Sequence, residues 1–220
     1  MKPGETDLKT LISGLAILLL GWAPGFLNVT HAVEVLTDPS IESRIDELLA
    51  RMTVEEKIGQ LNQYSSIYDL TGPKPEGGRE LALYDDLVNG RVGSMLNVLG
   101  AKETLATQKL VVENSRLGIP LMFGYDVIHG YKTIFPVPLA EAASWDLEAM
   151  EKSARIAATE AAAAGLHWTF APMVDISRDS RWGRIMEGAG EDPYLGSLIA
   201  AARVRGFQGG SLTETDTIAA

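Results

Sequence analysis

Ile41, Ile45, Leu48, Leu49 and Met52 recur every three or four residues, the spacing that puts apolar side chains on one face of a helix. Thr53-Val-Glu-Glu56 follows as a capping box, in which a threonine hydroxyl and a glutamate three residues on exchange hydrogen bonds with each other's backbone. A second helix therefore opens there and runs towards Leu61. Residues 71–79, rich in Gly and Pro, read as a loop, and Val92-Gly-Ser-Met-Leu96 as a first buried strand. A helix from Lys102 to Leu117 is stopped by Gly118-Ile-Pro120, and Leu121-Met-Phe-Gly124 forms a second strand that delivers Tyr125 and Asp126 at its C-terminal end. The alanine-rich stretch Trp145–Ala164 reads as a long helix ended by Gly165, followed by a third strand, Trp168-Thr-Phe-Ala171, stopped at Pro172. A helix from Tyr194 to Phe207 comes next, and Thr217-Ile-Ala-Ala220 begins another strand.

This alternation of strands and helices predicts an α/β fold with a parallel sheet and helices outside it. Two architectures meet that description, an open doubly wound sheet and a (β/α)8 TIM-type barrel. The first strand is not followed by Gly-x-Gly-x-x-Gly, and there is no Walker lysine, which disfavours the nucleotide-binding version and leaves the barrel. A complete barrel takes about 250 residues. With three strands and the start of a fourth in view, the expectation is a partial barrel, the first strands and helices only.

The pattern is different at the N-terminus. Leu11 to Leu27 is an almost uncharged run, preceded by Lys2 and Lys9 and followed by small residues up to Ala32, which is the layout of a secretory signal peptide over residues 1–32. Pro24 and Gly25 interrupt the run, and it falls short of the roughly 20 residues that span a bilayer, so an uncleaved anchor is the weaker alternative. The expected protein is periplasmic or secreted, off the membrane once the signal is cleaved, with residues 33–220 as its folded part. A composition of 46% hydrophobic and 22% charged residues fits a globular protein. A net charge of −10 argues against nucleic acid, whose binders need a basic face to displace counterions. The absence of cysteine removes disulfides, thiolate metal sites and cysteine nucleophiles together.

Candidate chemistry gathers in two loops. Asp126 stands at a strand end, where an ionised carboxylate can accept hydrogen bonds from two adjacent hydroxyls of a sugar, although an Asx turn would use it as well. His129 is placed to support it. Asp126, His129, His167 and Asp175 have no recognised metal-ligand spacing, so no metal and no cofactor is expected. In the second loop Arg181 and Arg184 flank Trp182-Gly183; a guanidinium fork can hold hydroxyls while an indole face stacks on a sugar ring. An ion-pair network with Glu187, Glu191 and Asp192 that stiffens the loop is the plainer use of the same arginines. Arg184 is the one expected to face a ligand and Arg181 the more structural. Glu191-Asp192-Pro193 also suits the start of a helix, where carboxylates are favoured.

Several motifs fall in one order: Ile45-Asp-Glu-Leu-Leu-Ala-Arg-Met-Thr-Val-Glu-Glu-Lys-Ile-Gly-Gln-Leu61, Gly124-Tyr-Asp-Val-Ile-His-Gly130, Phe135-Pro136, Ala171-Pro-Met173, Arg181-Trp-Gly-Arg184 and Gly190-Glu-Asp-Pro193. Together they resemble the N-terminal part of glycoside hydrolase family 3, and most closely its bacterial periplasmic β-glucosidases. The resemblance implies a (β/α)8 first domain, a following α/β sandwich domain, and retaining hydrolysis of terminal β-D-glucosyl residues from a β-glucoside or oligosaccharide through a glycosyl-enzyme intermediate. It further implies that Asp126 and Arg184 bind the terminal sugar. The family's lysine-histidine sugar-binding pair, its nucleophilic aspartate and its acid/base would lie beyond Ala220, so no catalytic residue is expected here and this chain alone should be inactive. Asp175, Asp179, Glu187 and Glu191 are accordingly not catalytic candidates. The rivals are a non-catalytic carbohydrate-binding protein built on the same Asp–Arg–Trp pocket and a metal-dependent barrel hydrolase using Asp126 and His129.

Overall fold

The computed structural model describes residues 38–66 and 73–220; the expected signal peptide, residues 1–32, and the first two residues of the loop expected at 71–79 lie outside the described residues. The chain divides after Arg51 into two units. To the first belongs α1 (Pro39–Arg51), opened by the Asp38 carboxylate, which accepts the Ser40 N–H at 2.8 Å. Glu42 in its first turn and Arg51 in its last both suit the helix dipole.

The second unit opens with the predicted capping box. The Glu56 N–H donates to Thr53 Oγ1 (3.2 Å) and the Thr53 N–H to Glu56 Oε2 (2.8 Å), which starts α2 (Val54–Gln60). Arg116, just past α4 (Ala101–Asn114), donates to the same carboxylate through Nε and Nη2 at 2.9 and 2.5 Å and, together with the Thr53 N–H, holds its pKa below the usual range.

Four parallel strands follow in chain order, β1 (Gln63–Ser65), β2 (Ser94–Leu96), β3 (Met122–Tyr125) and β4 (Trp168–Thr169), with no reversal of direction or order between them. The register pairs Tyr64 with Met95, Met95 with Phe123, and Gly124 with Trp168. Ala219 bridges to Trp168 in parallel, so the last residues do begin alongside β4. β1 was not anticipated, because a three-residue strand of polar composition at the sheet edge has no apolar run to announce it. Also unanticipated is α3 (Gly78–Val88), which takes up the last two residues of the expected loop and buries Leu83 and Leu87, four apart, against the core. The long helix expected from Trp145 is present as α6 (Leu147–Ala163), which starts two residues later, where the Asp146 carboxylate accepts the Ala149 N–H at 3.0 Å, and an unanticipated short helix, α5 (Pro138–Ala142), precedes it. Trp145 between them has φ +59. The last helix is α7 (Pro193–Gln208).

The core lies between the helices and one face of the sheet, where Met95 and Phe123 meet Leu87, Val111 and Phe207. On α6 the buried residues are mostly alanines, and they let α7 approach so closely that a Cβ on Gly206 would sit 2.3 Å from the Glu151 carbonyl oxygen. Met122 and Phe170, on the other face, are 47% and 43% exposed. Gly124 is required there for a different reason, since a Cβ would fall 2.1 Å from the Trp168 indole nitrogen. No helix among the described residues is long and apolar enough to cross a membrane.

His167 ties β3 to β4 through both backbone and side chain. Its N–H donates to the Phe123 carbonyl (2.9 Å), its Nδ1 accepts the Phe123 N–H (2.9 Å), and its ring stacks on that of Phe123 at 5.7 Å. An amide N–H can only donate, so Nδ1 carries the lone pair and the ring is neutral. Lost hydration pushes its pKa below 6.5. The folded protein thus binds this proton less readily than the unfolded chain. Stability contributed by neutral His167 is present above about pH 6.5 and falls as the pH drops towards the lower folded value. His167→Gln, which keeps an acceptor but does not titrate, is expected to flatten the fall in melting temperature between about pH 7 and about pH 5. An unchanged slope would remove His167 from the account.

Candidate functional site

Two long loops leave the C-terminal ends of β3 and β4. In the first, Val127 is fully buried and its N–H donates to Thr169 Oγ1 on β4 (3.1 Å), and this anchor leaves its neighbour Asp126 exposed at the strand end. His129 is half-buried and bonded within the loop: its Nδ1 lies 3.2 Å from the Phe135 carbonyl oxygen, and the Phe135 N–H donates back to the His129 carbonyl at 2.8 Å. The tip between them is held by Glu160 of α6, whose carboxylate accepts the backbone N–H groups of Lys132 and Thr133 (2.8 Å each) and the Thr133 hydroxyl (2.6 Å). Those bonds, the Thr133 hydroxyl first, keep the Glu160 carboxyl below its ordinary pKa.

The second loop, residues 170–192, carries the arginines. Arg181 lies largely in solvent and pairs with Asp179, its Nη2 at 2.5 Å from Oδ2, rather than with Glu187, Glu191 or Asp192. Such an exposed pair shapes the loop and contributes little stability. Arg184 pairs with Glu187, Nε with both oxygens at 2.9 and 3.0 Å and Nη2 with Oε2 at 2.5 Å, where a 3₁₀ turn (Ile185–Glu187) folds back on itself. Glu187 is the main reason the guanidinium pKa is raised, and the carboxylates of Asp126 and Asp175 act in the same direction. Asp126 and Arg184, 58 positions apart in sequence, therefore lie in one electrostatic neighbourhood at the strand ends. Trp182 is 37% exposed on the same loop and Glu191 is exposed. Asp192 has a local task, accepting the N–H groups of Tyr194 (2.7 Å) and Leu195 (3.2 Å) as the N-cap of α7. No group of three His, Asp or Glu side chains among the described residues is arranged to hold a metal ion.

Sequence analysis passed over a buried ion pair beneath these loops. Arg203 of α7 donates through Nη1 to Glu141 of α5 and through Nη2 to the Ile128 carbonyl oxygen (2.6 Å). The two side chains are 4% and 9% exposed. Burial lowers the Arg203 pKa against the opposing pull of Glu141. A signal was present: Arg203 lies midway between Ile199 and Phe207 at four-residue spacing, which puts a charge on the apolar, buried face of the helix.

Residues 53–216 match the family described as "Glycosyl hydrolase family 3 N terminal domain". A periplasmic β-glucosidase of Salmonella typhimurium is 39% identical over 204 residues, covering 93% of this chain and 26% of that protein. A putative β-xylosidase of Formosa agariphila is 33% identical over 184 residues, 77% of this chain and 24% of the relative. The crystal structure of a β-glucosidase from Listeria innocua in complex with glucose superimposes with a TM-score of 0.70 at 39% identity, over 80% of this chain and 25% of that one. The chain thus spans about a quarter of the length of the relatives it matches. With most of its residues matched to the family and β1 to β4 within the matched segment, this chain belongs to glycosyl hydrolase family 3.

Proposed function

We propose that this chain is the N-terminal part of a retaining, exo-acting β-glucosidase, in which Asp126 and Arg184 hold hydroxyls of the terminal glucosyl residue. The observation that carries this reading is that Asp126 and the loop bearing Arg184 both follow the C-terminal ends of the adjacent parallel strands β3 and β4, the ligand-binding end of such sheets. The Asp126 carboxylate offers acceptors to neighbouring hydroxyls. Glu187 occupies the Nε and Nη2 edge of Arg184 and leaves Nη1 to donate to a sugar oxygen. His129, Arg181, Trp182, Glu187, Glu191 and Asp192 shape the two loops rather than react.

The sequential strand order supports a (β/α)8 barrel completed by residues beyond Ala220, where the nucleophile and the acid/base belong. Holding a sugar without either group supplies no route to bond cleavage, so residues 1–220 alone are inactive. Residues 1–32 direct export and 33–220 fold in the periplasm or outside the cell, a reading supported by the run at 11–27 and by the periplasmic relative. The test is an assay of the full-length enzyme on aryl β-glucoside, β-xyloside and N-acetyl-β-glucosaminide. The expected result is the highest kcat/KM on the glucoside with β-glucose as first product, and no turnover by residues 1–220. Preference for the xyloside would transfer the assignment to the activity named for the Formosa relative.

A further inference from the structure

We propose that Arg203 and Glu141 are positioning residues that fix the Asp126 loop against the Arg184 loop. Their consequence for sugar binding rests on the function proposed above; their consequence for loop order does not.

A buried ion pair gives little stability that well-packed apolar side chains could not give, because removing two charges from water offsets most of their attraction. What an apolar pair cannot do is grip a particular carbonyl oxygen. Arg203 Nη2 grips that of Ile128, two residues after Asp126 and next to His129. The far end of the guanidinium engages Glu141 on α5, a five-residue helix that lies against the 3₁₀ turn whose Glu187 holds Arg184. Its carbon lies 5.7 Å from the centre of the fully buried Phe207 ring, so the arginine itself is seated in the core. One side chain thereby links the backbone of the first loop, the helix supporting the second, and the rigid interior. Thr169 anchors the base of the first loop and Glu160 its tip; between them the Ile128 side chain packs against the core, while the hydrogen bonds of the stretch Ile128–His129 are those to Arg203 and between His129 and Phe135. Both side chains are buried, so neither is offered to a ligand.

The experiment compares wild type with Glu141→Leu/Arg203→Met, which replaces the pair by apolar side chains, and with Arg203→Lys, which keeps the charge but loses the fork. Hydrogen exchange, thermal melting, kcat and KM are all read on the full-length enzyme, with Asp126→Ala as reference. The double variant is expected to melt cooperatively while the Phe135 amide, bonded to His129, exchanges at least about tenfold faster. In the full-length enzyme kcat/KM falls by about a hundredfold, mostly in kcat, as a misplacement near 1 Å would cause. Arg203→Lys should recover part of both. A folded double variant whose Phe135 amide exchanges as in wild type overturns the proposal, and so does faster exchange with kcat/KM unchanged while Asp126→Ala is inactive. If Asp126→Ala is itself fully active, the sugar-site reading has failed, and the exchange result alone decides whether the pair orders the loop.

Discussion

Asp126→Ala in the full-length enzyme is expected to lower kcat/KM on an aryl β-glucoside by about 10²- to 10⁴-fold while leaving the melting temperature unchanged. The magnitude follows from two hydrogen bonds between a carboxylate and sugar hydroxyls, each worth about 1.5–3 kcal/mol when one partner is charged. The stability side follows from position: Asp126 is exposed, and the backbone there is secured by Val127 and Thr169, not by the aspartate. Asp126→Asn retains an acceptor but not the charge and should fall between. The loss should appear mainly in kcat if the ring is gripped more tightly as it flattens towards the oxocarbenium-like transition state. An alanine variant with wild-type kcat/KM would remove Asp126 from the sugar site.

Breaking the buried pair on one side only should have the largest effect on stability. Arg203→Met leaves the Glu141 carboxylate, in a side chain 9% exposed, without its cation, and the expected cost is about 3–5 kcal/mol in urea unfolding of the chain. That is a third or more of the stability of many domains of this size. The variant also acquires a signature. Its stranded carboxyl titrates at higher pH in the folded state than in the unfolded chain, so folding takes up a proton and part of the lost stability returns as the pH is lowered towards the unfolded carboxyl range. A loss below about 1 kcal/mol with no recovery in acid would mean that water solvates Glu141 once the arginine is gone. Set beside the double variant, which removes both charges, this separates the cost of an unpaired charge from the ordering function of the pair.

The two expectations differ in how visible their residues were beforehand. Asp126 and Arg184 stood out because each lies in a short polar motif just after an apolar run. Arg203 stood inside a helix between Ala202 and Val204, and its two partners lie 62 and 75 positions upstream. The loop arginines were half legible. An ion pair for each followed from the density of carboxylates, but whether Arg181 chose Asp179 or Glu187 depended on the backbone turn, with the 3₁₀ segment giving Glu187 to Arg184.

What the sequence determined by itself is what is settled within three or four residues. The Thr53–Glu56 box, the Asp192 cap with Pro193 behind it, and the termination of α6 before Gly165 are local exchanges of hydrogen bonds or local backbone preferences, and each is present where its motif lies. The alternation of apolar runs likewise fixed a parallel α/β sheet, because buried strands need apolar side chains wherever they occur. Tertiary structure decided the rest. β1 is a strand only because Gln63–Ser65 finds the free edge of β2, since nothing in its own three residues stabilises extended backbone without that ladder. The loops that carry Asp126 and Arg184 come to the same end of the sheet only when β3 and β4 pair, and Arg203 reaches Ile128 only when α7 packs on α6. Such contacts are chosen by the packing of segments distant in the chain, and a residue's own neighbours in sequence carry no record of which partner that packing will bring.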